Sequence, residues 1–316
     1  MRIHSSVSDS VNRLTRGAIA IGNFDGVHLG HQALFETARR AARARGGPVC
    51  ALTFEPHPAR LLAPDYAPPL ICERPRKREL IASCGITDLI EQPFDQAFAA
   101  TEPARFVETL LATGIAEVVV GHDFTYGKSR AGTVESLRLA LEERGARLHL
   151  VAPVTVNGLV CSSSKVREFV LEGRLEAANL LLGRAFDLDG EVVKGEGRGR
   201  KLGWPTANIR TTNELLPAVG VYAVRAHLLP NGPLLRGAAN LGLNPTFRPE
   251  SALAGPAGRP PLSLEVYLFD FNQDIYGQHL RVEFVRRLRE ERRFPGVDAL
   301  KAQIAKDVEQ ARRLLV

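Results

Sequence analysis

Short apolar runs alternate with longer amphipathic segments through residues 17–183. Continuous short apolar runs are typical of buried strands, and apolar positions that recur once per helical turn are typical of helices. The pattern predicts strands at 18–21, 49–54, 118–120 and 148–151. It predicts helices at 31–45, 76–84, 103–113, 134–144, 163–172 and 175–182. Alternation of this kind predicts an α/β domain with a parallel sheet that helices cover on both faces.

The pattern changes after Gly183. Strands are predicted at 191–194, 219–227, 262–269 and 279–285, with Gly, Pro and Asn between them, and a helix follows at 297–315. This arrangement predicts a small antiparallel β-barrel with a C-terminal helix, in which 249–261 form a loop. We therefore expect two domains, 1–183 and 184–316.

The overall charge decides little about function. The chain has 41 Lys and Arg residues against 35 Asp and Glu residues, a net charge of +6. An excess of this size suits anionic small molecules as well as nucleic acid.

The spacing of the cysteines and the composition of the first residues bear on the cellular compartment of the protein. Cys50, Cys72, Cys84 and Cys161 are widely spaced and form no zinc-type or redox-type pair, so a reducing compartment is expected. The first residues lack an apolar run of secretory length, and no later run approaches the roughly 20 apolar residues of a membrane span. We expect a cytoplasmic protein.

The segment 22–31, GNFDGVHLGH, joins the first predicted strand to the first predicted helix. At such a junction, backbone N–H groups and the positive end of the helix dipole can bind phosphate. His28 and His31 are three residues apart, so both can face one way and donate hydrogen bonds to a triphosphate. The segment has neither the GxGxxG pattern nor the Walker pattern. The alternative is a structural turn with two incidental surface histidines.

The HxGH element at 28–31 resembles the adenylyl- and cytidylyltransferase superfamily, and 22–31 as a whole resemble the N-terminal module of bacterial riboflavin kinase/FAD synthetases. Three further segments agree with that family in order and spacing. They are 53–58 (TFEPHP), 121–132 (GHDFTYGKSRAG, with Tyr126 in place of the usual Phe) and 162–167 (SSSKVR). The resemblance implies a Rossmann-like nucleotidyltransferase domain that adenylylates FMN.

The resemblance also implies individual roles in this first site. Asp25, His28 and His31 are expected around the ATP phosphates, with the two histidines catalytic. The other expected nucleotide- and flavin-binding residues are Gly22, Phe24, Gly30, His57, Asp123, Arg130, Ser163, Ser164, Lys165 and Arg167.

The segment 162–167 departs from the family pattern. Some members carry a basic residue where this chain has Val160, and members favour Thr where Ser164 stands. We expect Lys165 or Arg167 to supply the missing positive charge.

A second candidate site begins at 195–203, GEGRGRKLG, which is followed by PTAN at 205–208. Glycines allow a loop to wrap phosphates through its backbone N–H groups. Thr206 and Asn208 offer oxygen atoms of the hard type that Mg²⁺ prefers. Composition alone leaves a flexible basic loop as the alternative.

This second segment resembles the phosphate loop and PTAN motif of the riboflavin kinase family. Further similar segments are 220–224 (GVYAV), 240–247 (NLGLNPTF), 264–270 (LEVYLFD, with Tyr267 in place of the usual His) and 284–294 (FVRRLREERRF). Together with the first domain, the resemblance covers nearly the whole chain.

The resemblance assigns Glu265 as the general base that takes the proton of the ribityl hydroxyl during attack on the γ-phosphorus of ATP. Thr206 and Asn208 are expected to hold Mg²⁺, which stabilises the transferred phosphoryl group together with the loop. Arg289 and Glu291 either pair near the flavin or form a solvated helix face. The other expected nucleotide- and flavin-binding residues are Gly195, Gly197, Gly199, Lys201, Gly203, Pro205 and Asn240.

These expectations describe a bifunctional enzyme of FAD biosynthesis that converts riboflavin to FMN and FMN to FAD with ATP. Riboflavin, FMN, ATP and FAD are its expected partners, without nucleic acid or membrane, and the sequence leaves the oligomeric state open. One rival is another HxGH nucleotidyltransferase with an unrelated second domain. Another is a non-catalytic regulator that binds flavin or RNA.

Overall fold

The computed structural model describes residues 1–195, 197–243 and 262–316, apart from the side chains of Arg198, Lys201 and Leu243. The contacts divide the chain into a first unit, 1–69 with 73–162, and a second unit, 70–72 with 163–316. The loop predicted at 249–261 lies outside the described residues.

The first unit is built on parallel strands. Its strands are Arg2–His4 (β1), Ala18–Ile21 (β2), Val49–Glu55 (β3), Asp88–Pro93 (β4), Glu117–Gly121 (β5), Arg147–Val151 (β6), Thr155–Val156 (β7) and Leu159–Val160 (β8). Its helices are Leu29–Arg45 (α1), Ala59–Leu62 (α2), Arg74–Ser83 (α3), Gln96–Ala99 (α4), Pro103–Leu111 (α5) and Val134–Glu142 (α6), with short 3-10 turns at Ser8–Ser10, Pro64–Tyr66 and Lys128–Arg130.

The sheet of the first unit has the order β1-β4-β3-β2-β5-β6, and every pairing in it is parallel. All four residues of β2 are buried, as expected of a central parallel strand. The predicted α/β domain is therefore confirmed. Because the strands are parallel, their carboxyl ends share one edge, where the loops after β2, β3 and β5 emerge.

The buried carboxylate of Glu91 links β4 to α3. Burial alone would raise its pKa, but hydrogen bonds from Arg78 and Arg74 outweigh that effect and lower the pKa to about 2. A depressed carboxylate pKa stabilises the fold above the unfolded-state value, here 4.5, and the contribution disappears as the pH falls towards 2.

We predict that Glu91→Gln lowers the free energy of unfolding by roughly 3 kcal/mol at pH 7 and by half of that or less at pH 3. Calorimetric melting of the full chain at both pH values measures the difference. Glu36→Gln, which removes one partner of the exposed pair with Arg39, is the matched control and should shift the melting temperature little at either pH. An E91Q deficit that is equal at pH 7 and pH 3 would contradict the prediction.

The second unit contains a closed antiparallel barrel of order β10-β13-β12-β11-β14-β9, as the sequence predicts. Its strands are Phe186–Val193 (β9), Ala207–Arg210 (β10), Gly220–Leu228 (β11), Leu234–Leu243 (β12), Leu262–Leu268 (β13) and His279–Arg289 (β14). Its helices are Ser163–Leu171 (α7), Leu175–Leu182 (α8), Arg198–Leu202 (α9) and Val297–Leu314 (α10).

Helices α7 and α8 are fastened to the barrel. The Asn179 side chain donates to the carbonyl oxygens of Phe284 and Val285, at 3.0 and 3.3 Å, and accepts from the Phe186 N–H at 2.7 Å. These bonds tie α8 to β9 and β14 at once. Contacts thus group 163–183 with the barrel, whereas the sequence analysis expected a boundary between residues 183 and 184. That these residues separate the two catalytic domains stays a prediction.

Among the described residues, none of the helices combines the length and the apolar character that a membrane crossing requires.

Candidate functional site

The segment 22–31 forms a tight turn between β2 and α1. Phe24, Gly26 and Val27 have positive φ angles of 51°, 78° and 43°, and the Phe24 ring is fully buried. A Cβ atom on Gly22 would come within 2.9 Å of that ring, so a side chain at this position would displace it. Asp25 is also buried, at 3% exposure. The turn is therefore fixed by its own packing.

His28 is the N-cap of α1. Its Nδ1 accepts from the backbone N–H groups of Gly30 and His31, at 3.1 and 3.4 Å. An accepting Nδ1 is unprotonated, so neutral His28 carries its proton on Nε2. The rings of His28 and His31 stack with centroids 3.7 Å apart. His28 is buried and His31 is half-buried, so neither is an incidental surface histidine.

Gly30 packs closely against the ring of His28. A Cβ atom there would lie 3.0 Å from the His28 ring and 3.3 Å from the Cys161 carbonyl oxygen. The glycine that the motif places between the histidines therefore leaves room for the capping ring.

A cavity of about 630 Å³ opens at the carboxyl edge of the sheet in the first unit. Gly22 and the predicted polar residues His57, Asp123 and Arg130 lie in its wall. Its apolar lining is aromatic and comes from Phe54, Phe94, Phe98, Phe106, Phe124 and Tyr126. Such a lining suits a flat aromatic ligand with a few polar groups.

The loop that carries Arg130 is a closed hairpin. Tyr126 and Gly132 exchange backbone hydrogen bonds of 3.0 and 2.9 Å, and Ser129 and Arg130 between them have positive φ angles of 53° and 60°. Left-handed backbone at two consecutive non-glycine residues is uncommon and persists where surrounding contacts enforce it. The Tyr126 hydroxyl, 3.3 Å from the Ser136 Oγ at the start of α6, is one such contact.

Ser163, Ser164, Lys165 and Arg167 begin α7, which belongs to the second unit. Lys165 pairs with Glu168, and Arg167 is buried at 8% exposure. Their expected place beside the ATP phosphates, and the charge compensation for Val160, stay predictions.

The second candidate site lies in the barrel. Glu265 on β13 is paired with Asn208 on β10 and with Asn240 on β12. Directly paired residues of neighbouring strands project to the same face of the sheet. The Thr206 hydroxyl donates to Glu265 Oε2 at 3.1 Å. The structure therefore brings the predicted base and the predicted metal ligands together.

Two cavities meet at Thr206. One, of about 400 Å³, is lined by Glu265, Asn240, Arg289 and Glu291, with aromatic walls from Trp204, Tyr267 and Phe294. The other, of about 200 Å³, is lined by Arg200, Pro205 and the loop 271–276. Thr206 lines both cavities, so a group bound in either of them can contact this residue.

The glycine-rich segment contains the short helix α9, Arg198–Leu202. Gly197 and Gly203, with φ angles of 67° and 100°, flank it. A side chain on Gly195 would clash with Asn208, and one on Gly199 would clash with the Trp204 carbonyl oxygen. The side chain of Lys201 and all of Glu196 and 244–247 lie outside the described residues.

The donor chemistry suits Mg²⁺, because Thr206 and Asn208 offer neutral oxygens beside the Glu265 carboxylate. Among the described residues, His, Cys, Asp and Glu form no group of three or more that could hold a metal ion. A metal at this site would be held by the Thr206 hydroxyl, the Asn208 amide oxygen and phosphate oxygens of a nucleotide.

The sequence analysis included Arg289 but missed three other lining residues, Asp307, Trp204 and Arg200. Arg289 ends β14, so a solvated helix face is excluded for it, and it pairs with Asp307 of α10. Asp307 is an acidic residue in the apolar stripe of an amphipathic helix, and that mismatch is the signal that could have identified it. Arg200 lies within the predicted segment 195–203 and Trp204 lies directly after it, but neither was singled out as a binding residue.

Comparison with known proteins matches both parts of the chain to known families. The family model for FAD synthetase matches residues 11–165, and that for riboflavin kinase matches residues 182–315. The chain is 38% identical to the bifunctional riboflavin kinase/FMN adenylyltransferase of Bacillus subtilis (strain 168), covering 94% of this chain and 92% of the relative. It is also 38% identical to the Escherichia coli (strain K12) protein of the same description, covering 93% and 91%.

A crystal structure described as a macrolide-efflux protein from Streptococcus pneumoniae has the same fold, with a TM-score of 0.86, 31% identity and 98% of both chains covered. That description names another activity and applies to the pneumococcal protein. The two family models and the curated relatives agree with each other and span nearly the whole chain. On these matches, this chain belongs to the family of bifunctional riboflavin kinase/FMN adenylyltransferases.

Proposed function

We propose that the barrel phosphorylates riboflavin with ATP and that the HxGH site adenylylates the resulting FMN with a second ATP. The position of Glu265 carries this proposal. Its carboxylate lies in the wall of the aromatic 400 Å³ cavity and is bonded to Thr206, which also lines the polar neighbouring cavity. A base in this position can contact an alcohol bound in the aromatic cavity, close to a nucleotide bound in the polar one.

In the kinase step, the isoalloxazine ring occupies the aromatic cavity and the ribityl chain extends towards Glu265. The carboxylate takes the proton of the terminal hydroxyl, the oxygen bonds to the γ-phosphorus, and the bond from that phosphorus to ADP breaks. Thr206 and Asn208 would hold Mg²⁺, which neutralises phosphate charge. The backbone of 195–203 and Arg200 bind the phosphates.

In the adenylyl step, a phosphate oxygen of FMN attacks the α-phosphorus of ATP and pyrophosphate leaves. The FMN phosphate is already ionised, so the site needs positioning and charge stabilisation and no strong base. The aromatic 630 Å³ cavity takes the flavin, and His28, His31 and the N-terminus of α1 stabilise the charge that develops. Ser163, Ser164 and Arg167 are proposed to hold phosphate oxygens.

Incubation with riboflavin, ATP and Mg²⁺ tests both steps, because chromatography should resolve FMN first and FAD later. A different HxGH nucleotidyltransferase would form neither product. A flavin- or RNA-binding regulator would bind without consuming ATP, and steep salt dependence of RNA binding would favour it. We also propose 1–183 and 184–316 as the two catalytic domains. The wide spacing of the four cysteines along the sequence supports a cytoplasmic location.

Gly132→Ala tests the flavin cavity of the first unit. An added Cβ atom would lie 2.5 to 2.7 Å from three atoms of the Tyr126 ring, so the ring must leave its place in the cavity wall. We expect the KM for FMN in adenylylation to rise about tenfold or more, while riboflavin phosphorylation is unchanged. Gly296→Ala, where a Cβ atom meets nothing within 4 Å, is the control. An unaltered KM for FMN would remove Tyr126 from the proposed flavin site.

A further inference from the structure

Helix α10 packs its apolar face against the barrel with one acidic exception. Val308, Ala311 and Leu315 lie in a cluster with barrel residues that include Phe269. Asp307, on the same face, is only 4% exposed. A carboxylate so deeply buried is costly unless hydrogen bonds and an opposite charge compensate it. The partners that compensate the buried charge of Asp307 therefore indicate its role.

The Asp307 carboxylate accepts hydrogen bonds along one edge of the Arg289 guanidinium. Arg289 Nε lies 3.0 Å from both carboxylate oxygens, and a terminal nitrogen lies 2.8 Å from Oδ2. The Gln303 amide donates to Oδ1 at 2.7 Å. The other terminal nitrogen of Arg289 donates to the Glu290 carbonyl oxygen at 2.9 Å. All three guanidinium nitrogens thus have a fixed acceptor, so the plane of the group is set.

Arg289 and Asp307 both line the aromatic cavity of the barrel, and the guanidinium lies 5.6 Å from the centroid of the Phe294 ring. A fixed guanidinium plane can stack on a flat aromatic ring, which a mobile one does poorly. The strand pairing runs from Glu265 through Asn240 and Val221 to Arg289. Three steps from strand to strand lead half of the way around the closed barrel of six strands, so Arg289 and the proposed base line the same cavity from opposite strands.

We infer that Asp307 is a positioning residue of the kinase, which holds the Arg289 guanidinium as a wall for the isoalloxazine ring of riboflavin. The inference rests on the proposed function of the barrel. Because Arg289 and Glu265 lie on opposite strands of the barrel, loss of Asp307 should weaken riboflavin binding and leave phosphoryl transfer and ATP binding nearly intact.

The test compares Asp307→Asn with Asp298→Asn, which makes the same change at an exposed position of α10. We expect D307N to raise the KM for riboflavin about tenfold, with kcat within about twofold and the KM for ATP unchanged. Quenching of Trp204, the only tryptophan in the chain and part of the cavity wall, reports riboflavin binding directly and should weaken by the same factor. D298N should match the unsubstituted protein in every measurement.

Arg289→Lys keeps the positive charge but cannot donate the paired hydrogen bonds that the guanidinium makes to the Asp307 carboxylate. This variant also tests the inference if D307N fails to fold. We expect R289K to raise the KM for riboflavin as D307N does, and the double variant to be no worse than R289K, since Asp307 acts through Arg289. An unchanged KM in R289K, or additive losses in the double variant, would overturn the inference. Absence of riboflavin phosphorylation in the unsubstituted protein would instead defeat the proposed function.

Discussion

Glu265→Gln should abolish FMN formation and leave the conversion of supplied FMN to FAD unchanged. Glutamine has nearly the size of glutamate and still accepts the hydrogen bond from Thr206, but it cannot take the proton of the ribityl hydroxyl. We expect kcat for riboflavin phosphorylation to fall by about 100-fold or more, because general-base catalysis contributes at least that much. Riboflavin binding, followed by Trp204 fluorescence, should be retained.

Glu283→Gln is the matched control for this variant. Glu283 also lies on a barrel strand, where it contacts His227 and does not line the 400 Å³ cavity. It should retain full kinase activity. If E265Q lost both activities while folded, the assignment of one reaction to each site would fail. If E265Q phosphorylated riboflavin normally, Glu265 would not be the base.

In the first unit, the strands that periodicity predicted have mainly apolar runs, such as β2. Periodicity missed β4, because charges at Asp88 and Glu91 break its apolar run. Both carboxylates are buried, and each is compensated by partners that lie outside β4, Arg2 and His4 for Asp88 and two arginines of α3 for Glu91. A local pattern cannot reveal compensation that comes from elsewhere in the chain.

In the candidate sites too, the sequence predicted which residues take part but not the contacts between them. The sequence pattern placed two histidines at a helix start, but it did not predict that His28 itself caps α1 and stacks on His31. The resemblance identified Glu265 and Thr206, whereas their mutual hydrogen bond depends on the register of β10 against β13. Asp307 was missed because helical periodicity treats its position as part of an apolar face.

His31→Ala should stop the two-step reaction at FMN. The riboflavin kinase site lies in the barrel and is unaffected, so FMN should accumulate while FAD formation falls by about 100-fold or more, the usual effect of removing a donor that stabilises developing charge. Chromatography of a single incubation measures both products. His279→Ala, at an exposed barrel position, is the control and should yield FAD normally.

The capping role of His28 separates its structural contribution from its catalytic one. His28→Ala removes the acceptor for two backbone N–H groups and should cost about 1 kcal/mol of stability in addition to FAD formation. His28→Asn restores a capping acceptor without the imidazole, so its stability should recover while FAD formation stays blocked. Recovery of FAD formation in H28N would mean that His28 serves only as the helix cap, leaving His31 alone to stabilise the phosphate charge.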